Sequence, residues 1–176
     1  MKLLMMSDIH GLSNNLKTLE EKIRLTNFDY IVILGDLFSS PYSKEDDEKV
    51  IIDFLNRYQE KLIVVKGNCD TTLDITKIPV KVETVNYLKV DQYDFYFTHG
   101  NVYNYYRNDT FSNGILVYGH EHVPYIKKDS DMIYLNTGSL SLPRDDYGKT
   151  FAVYENKVLK IYQLDTLNLI FEEQLA

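Results

Sequence analysis

The chain has one cysteine, Cys69, no tryptophan, and only four prolines in 176 residues. A single thiol cannot close an intrachain disulfide, so the fold must rest on its core, as expected in a reducing compartment. No low-complexity tract or linker interrupts the chain. Apolar runs are all short. None approaches a membrane span, and the first, residues 3–6, is too brief for the core of a signal peptide and has no cleavage-like site after it. Basic charge is also scarce. Nineteen Lys and Arg against 26 Asp and Glu leave a net charge of −7, a poor match for a nucleic-acid backbone or an anionic bilayer. The expectation is a cytoplasmic protein with no membrane partner and no stable nucleic-acid binding, built as a single domain over 1–176.

What the chain does have is organised around its first eleven residues. Residues 3–6 read as a strand buried on both faces, and Ser7-Asp8-Ile9-His10-Gly11 follows at its carboxyl end. Two residues apart on an extended backbone, Asp8 and His10 should point the same way. A carboxylate and an imidazole at the carboxyl edge of a sheet make half of a metal site. Four more apolar runs end in similar residues. Residues 30–34 lead into Gly35-Asp36, 62–66 into Gly67-Asn68-Cys69-Asp70, 93–98 into His99-Gly100, and 114–118 into Gly119-His120-Glu121-His122. All four histidines of the chain fall in these blocks. Imidazole, carboxylate and amide oxygen suit manganese, iron or zinc, whereas copper(I) or iron–sulfur would call for thiolates.

Taken in order, Ser13 or Asn14 can cap a helix carrying Leu16, Leu19 and Ile23 on one face. Strand 30–34 follows, then a loop over 37–42 stopped by Pro41. Ser43 and Asp46 resemble a helix start, ahead of the stripe Val50, Ile51, Phe54, Leu55 and Tyr58. Strand 62–66 completes a βαβαβ half. From residue 80 onward helical periodicity fades. Strands are expected at 82–85, 87–90, 95–98, 115–118, 123–127, 132–135, 151–154, 158–164 and 169–173, with tight turns at 155–157 and 165–168. A second, largely antiparallel sheet should therefore pack on the first. Residues 101–113 are either a loop or a short helix. Their Tyr103, Tyr105, Tyr106 and Arg107 either stack a base or aryl group or pack against protein. The fifteen tyrosines have no account at this level.

The five blocks appear in the order found in the calcineurin-like metallophosphoesterases, and the whole chain resembles the small phosphodiesterases of the YfcE type. These share the Gly-Asn-Cys-Asp block and a late Asn-x-Gly-Ser, here Asn136-Thr137-Gly138-Ser139. The resemblance implies an α/β fold of two stacked β-sheets flanked by helices, an αββα sandwich. It implies two divalent metal ions, manganese first, with iron, zinc or nickel as alternatives. Asp8, His10 and His122 would hold one ion, Asn68, His99 and His120 the other, and Asp36 would bridge them. It implies hydrolysis of a small phosphodiester or nucleotide-like ester by a metal-bridging hydroxide. Two cations less two carboxylates and that hydroxide leave roughly +1 to receive a phosphate.

Asn68, Cys69, Asp70 and His99 are the catalytic candidates. Asp70 reads best as orienting a ligand or the loop backbone, and Cys69 as either a buried filler or a proton donor. Three departures stand out: Cys69 where related phosphatases have a histidine, Asn101 where many relatives have a second histidine, and Glu121 in place of threonine. Ser139 and Arg144 line the pocket or serve only turn and surface. A phosphomonoesterase and a non-catalytic scaffold of the same fold are the alternatives, and self-association is left open.

Overall fold

The computed structural model describes residues 1–38, 44 and 47–176. The expected stop at Pro41 and helix start at Ser43 and Asp46 lie outside them. Strand β1 (Lys2–Met6) alternates its side chains between two apolar layers. Leu4 and Met6 face the layer that holds Leu16, Leu19, Ile51, Phe54 and Leu55. Leu3 and Met5 face the opposite layer with Phe95, Phe97 and Val117. A strand buried on both faces needs the unbroken apolar run that the sequence shows.

Helix α1 (Ser13–Lys22) and helix α2 (Asp47–Arg57) lie on one side of β1, with β2 (Tyr30–Ile33) and β3 (Leu62–Val65) beside it in parallel. Neither expected cap of α1 acts as one. Leu12 holds the cap position, and the Ser13 amide and hydroxyl both donate to Asp47 Oδ1 at 3.2 and 2.5 Å, so α2 supplies the carboxylate at the head of α1. A further short helix, α3 (Thr72–Ile75), is closed by reciprocal bonds between Thr71 and Asp74, a pairing the sequence reading passed over.

The run expected as strand 82–85 divides. β4 (Val82–Glu83) ends the first sheet, and β5 (Val85–Val90) begins the second. β6 (Tyr93–Thr98), β7 (Gly114–Tyr118), β8 (Pro124–Asp129) and β9 (Met132–Thr137) complete that second sheet in the order β5-β6-β7-β9-β8. It is mixed rather than largely antiparallel, because β6–β7 and β7–β9 run parallel while only the outer pairs are hairpins. β10 (Thr150–Glu155), β11 (Val158–Gln163) and β12 (Leu169–Gln174) do not join it. They return to the first sheet, where β10 pairs antiparallel with β1 to give the order β12-β11-β10-β1-β2-β3-β4. Asn156 and Lys157, both with positive φ, close the β10–β11 hairpin in the two-residue form that matches strand twist.

Two mixed sheets thus stack face to face, with helices on the outer face of the first. The outer face of the second is covered differently. Leu116, Tyr118, Met132 and Tyr134 are buried there under Tyr96, Tyr103, Tyr105, Phe111 and Tyr125. Residues 101–113 form that cover without a helix, pinned by a bridge between Asn104 and Arg107. Lys127 sits over the rings of Tyr105, Tyr106 and Tyr125. The tyrosines therefore take the place of a helical layer, and Tyr103 and Tyr105 pack against protein. Tyr106 remains 72% exposed. Among the described residues, no helix is long and apolar enough to cross a membrane.

Candidate metal centre

The strand ends expected to carry ligands converge on one edge of the sandwich. Asp8 and His10 follow β1, Asp36 follows β2, Asn68 follows β3, His99 follows β6, and His120 and His122 follow β7. The backbone reaches this geometry by a different route from the extended one expected. Asp8, His10, Asp36, His120 and His122 all have φ between 50° and 64°, the left-handed region that non-glycine residues rarely occupy. Asp8 and His10 nevertheless keep their amides paired, donating to the carbonyls of Gly35 and Asp36.

Two glycines permit the crowding. A Cβ on Gly67 would overlap the Asp36 carboxylate and amide, and one on Gly119 would overlap Ser7 and the Asp8 carboxylate.

The donor atoms of Asp8, His10 and His122 lie within 4.8 Å of one another, as do those of Asp8, Asp36 and His99 and those of His10, Asp36 and Cys69. Asp36 Oδ2 stands 3.8 Å from His10 Nε2 and 3.4 Å from His99 Nε2. Asn68 Oδ1 is 3.0 Å from His99 Nε2. His120 is the outlier. Its ring packs edge-on against His99 with centroids 5.0 Å apart, and its amide donates to Asp8 Oδ2 at 2.9 Å.

Tautomers follow from the outer contacts. His99 Nδ1 meets the Leu34 carbonyl at 2.6 Å, and His122 Nδ1 meets the Leu142 carbonyl. A carbonyl only accepts, so both Nδ1 atoms carry hydrogen, and the neutral rings turn Nε2 lone pairs inward. Those lone pairs face more acceptors: Asn68 Oδ1 and Asp36 Oδ2 for His99, Asp8 Oδ1 at 3.1 Å for His122. Asp8 Oδ1 is buried with no hydrogen-bond donor. Acceptors converging on acceptors are stable only around positive charge.

The titration directions express the same demand for positive charge, which imidazole protons meet when no cation is bound. Burial alone would raise the Asp8 carboxyl, but the His10 and His122 side chains hold it well below the ordinary range. Burial opposes the lowering of Asp36 too, and His99 outweighs it. His99 is raised despite burial, chiefly by Asp36. The residues present fit divalent cations.

The remaining candidates divide by role. Asp70 spends its carboxylate on the backbone, accepting the amides of Asp36, Leu37 and Gly67 at 2.8 to 2.9 Å, so it locks the Asp36 loop onto the Asn68 loop. Cys69 is partly exposed, with its thiol in the cluster and its amide donating to Asp36 Oδ1. Burial, with Asp36 beside it, pushes that thiol up to about 11. Ser139 is fully buried and bonds the Asp8 carbonyl, while its Oγ accepts the amides of Ser141 and Leu142. Asn136 holds the Gly119 carbonyl at 2.9 Å. These two brace the ligand loops, and the late Asn-x-Gly-Ser block was their only sequence signal. Arg144 is exposed and contributes its amide, to the His122 carbonyl.

Comparison with known proteins agrees with this geometry. Residues 1–158 match the calcineurin-like phosphoesterase superfamily domain. The chain is 27% identical to phosphodiesterase YfcE of Escherichia coli strain K12 over 97% of its own length and 96% of that protein. It is 26% identical to the probable metallophosphoesterase YsnB of Bacillus subtilis strain 168, covering 87% of this chain and 83% of that one. The solved structure of E. coli YfcE, described as a phosphoesterase, superposes with a TM-score of 0.91 over the full length of both chains at 27% identity. Wild-type Vps29 of Entamoeba histolytica, solved with zinc, shares the fold at a TM-score of 0.63 and 15% identity, covering 99% of this chain and 98% of that one. A family match across nine-tenths of the chain, on a sandwich whose strand ends gather carboxylates and imidazoles, identifies the chain as a member of the calcineurin-like phosphoesterase superfamily.

Proposed function

We propose that the chain is a metal-dependent phosphodiesterase of the cytoplasm, acting on small or nucleotide-like phosphodiesters. The observation that carries the reading is Asp36, whose Oδ2 stands 3.8 Å from His10 Nε2 and 3.4 Å from His99 Nε2. On this reading Asp8, His10 and His122 hold one divalent cation, Asn68, His99 and His120 hold a second, and Asp36 serves both. The phosphodiesterase YfcE, related over nearly the whole chain, supports the phosphodiester class. Cys69, with no second thiol to oxidise with, suits a reducing compartment.

When bound, two such cations lower the pKa of water and polarise phosphoryl oxygens. The chain's own residues supply the rest. Asp8 and Asp36 balance the cationic charge. The Leu34 and Leu142 carbonyls fix the tautomers of His99 and His122, so that the ring nitrogens arrive already oriented. Asp70 keeps the Asp36 and Asn68 loops in register. The residue that follows Asn68 carries a thiol and not an imidazole, and the nearby His99 has its ring proton committed to the Leu34 carbonyl, which favours esters whose leaving group needs little help. Manganese is the proposed ion, since carboxylate, amide and imidazole donors all suit it.

The test is elemental analysis of freshly purified protein together with activity on bis-p-nitrophenyl phosphate and p-nitrophenyl phosphate across manganese, iron, zinc and nickel. Two equivalents of metal and a diester preference are expected. Metal-free protein with undiminished hydrolysis would overturn the reading.

A further inference from the structure

The limb Gly119-His120-Glu121-His122 is held from behind by hydrogen bonds that begin outside the candidate site. The Tyr105 amide donates to Tyr118 Oη at 2.9 Å, Tyr118 and Tyr125 hydroxyls meet at 2.7 Å, and Tyr125 donates to Glu121 Oε2 at 2.9 Å. The direction of the middle bond follows from the ends. A carboxylate only accepts, so the single proton of Tyr125 goes to Glu121. Tyr118 must then donate to Tyr125, which leaves the Tyr118 oxygen free to accept from the Tyr105 amide. All three bonds run one way, an ordering in which each strengthens the next.

Asn136 closes the arrangement from the other side. Its Oδ1 takes the Gly138 amide at 2.9 Å, so its Nδ2 must face the limb, where it meets the Gly119 carbonyl at 2.9 Å and the same Glu121 oxygen at 3.3 Å. The held limb contains two left-handed non-glycine residues, His120 and His122, and a tight bond from the Glu121 amide to the Gly119 carbonyl. Such backbone persists only where surroundings over-determine it.

We propose that Glu121 and Tyr125, backed by Tyr118, are positioning residues that set the aim of His120 and His122. Through them the aromatic cover of residues 101–113 is coupled to metal affinity. The proposal rests on the metal-centre reading and goes beyond it, because none of the three side chains is itself a ligand candidate. Groups bonded directly to ligating imidazoles typically govern metal affinity by about 10- to 100-fold, and these residues, acting through the backbone that carries His120 and His122, should act at or below the lower end of that range.

The test is calorimetric titration of chelator-stripped full-length protein with Mn2+, alongside thermal melts of the metal-free forms. Tyr125→Phe and Glu121→Ala should each weaken Mn2+ binding several-fold, up to about ten-fold. Glu121→Gln should bind nearly as the parent does, because an amide oxygen at the Oε2 position accepts from both Tyr125 and Asn136. Tyr118→Phe should fall between, since Tyr125 keeps its bond to Glu121. If Tyr125→Phe melts early without metal, the half-buried Glu121 pair carries the comparison. Unchanged Mn2+ binding in both Tyr125→Phe and Glu121→Ala would overturn this proposal while leaving the metal reading intact. Equal weakening in Glu121→Gln and Glu121→Ala would also overturn it, because charge and not hydrogen bonding would then be at work. A parent protein that takes up no Mn2+, Zn2+ or Fe2+ would overturn both.

Discussion

Asp36 Oδ2 and His99 Nε2 lie 3.4 Å apart, and the other nitrogen of His99 is committed to the Leu34 carbonyl at the end of the strand that also delivers Asp36. Carboxylate and imidazole are thus fixed by one strand end. On the proposed reading, this is the pair that shares a cation.

Asp36→Asn should lower metal stoichiometry and hydrolysis together. An amide keeps the shape but loses the charge that two ions would share. Elemental analysis with a diester assay checks it, and full activity with two ions still bound would refute the bridging role.

His10→Ala and His99→Ala should differ from each other. His10 sits with Asp8 and His122, His99 with Asn68, so each variant should keep the other ion more firmly. Titration calorimetry separates the two. Identical loss of both ions in both variants would leave the split between sites unsupported.

Asp70→Ala removes one carboxylate from three backbone amides and should cost about 3 kcal/mol, because the burial penalty of the charge offsets part of the roughly 1.5–3 kcal/mol of each hydrogen bond to it. Asp70→Asn should cost less. Oδ2 takes two of those amides, and an amide oxygen in its place retains both. Chemical denaturation of the metal-free forms is the measurement.

The metal-free protein should lose stability as pH falls through and below the ordinary aspartate value of 3.8. Asp8 and Asp36 have folded pKa values below that, so their contribution is fully present above it and is lost as they protonate. Asp70 is raised by burial, so its protonation favours the fold as pH falls towards the ordinary value and opposes the decline that the lowered groups cause. Melting temperature followed into acid should fall less steeply in Asp8→Asn, which has no proton to take up there.

Cys69→His should raise turnover on alkyl phosphodiesters and change p-nitrophenyl esters much less. An alkoxide must be protonated to leave, whereas p-nitrophenolate leaves unaided. Cys69→Ala should do little if the thiol only fills space. Metal content is measured in each variant, and equal changes on both ester types would mean that the residue acts through loop packing or the ligands.

Some of this was open to reading from residues alone. Apolar runs ending in Asp, Asn and His located the site, because buried strands leave polar side chains only at their ends. The left-handed backbone at Asp8, His10, Asp36, His120 and His122 was not legible, since it depends on neighbours such as Gly67 and Gly119 making room. The return of β10 to β1 was hidden for another reason: a Thr-Phe-Ala-Val-Tyr run fits the edge of either sheet, and only pairing across about 150 residues decides. The braces Asn136 and Ser139 were visible as a motif but carried no sign of which loops they would hold.

That pairing bears on how the chain comes into being. β1 lies mid-sheet between β2 and β10, and its β10 side is closed only by residues 150–155. While a ribosome is still making the preceding stretch, the strand that carries Asp8 and His10 has one flank of unpaired amides and carbonyls. Long-range closure of this kind is slow and leaves an adhesive edge exposed meanwhile. The candidate ligands Asp8 and His10 therefore gain their final support from a strand made much later than they are, and nascent chains halted before β10 should need chaperone protection that the folded chain does not.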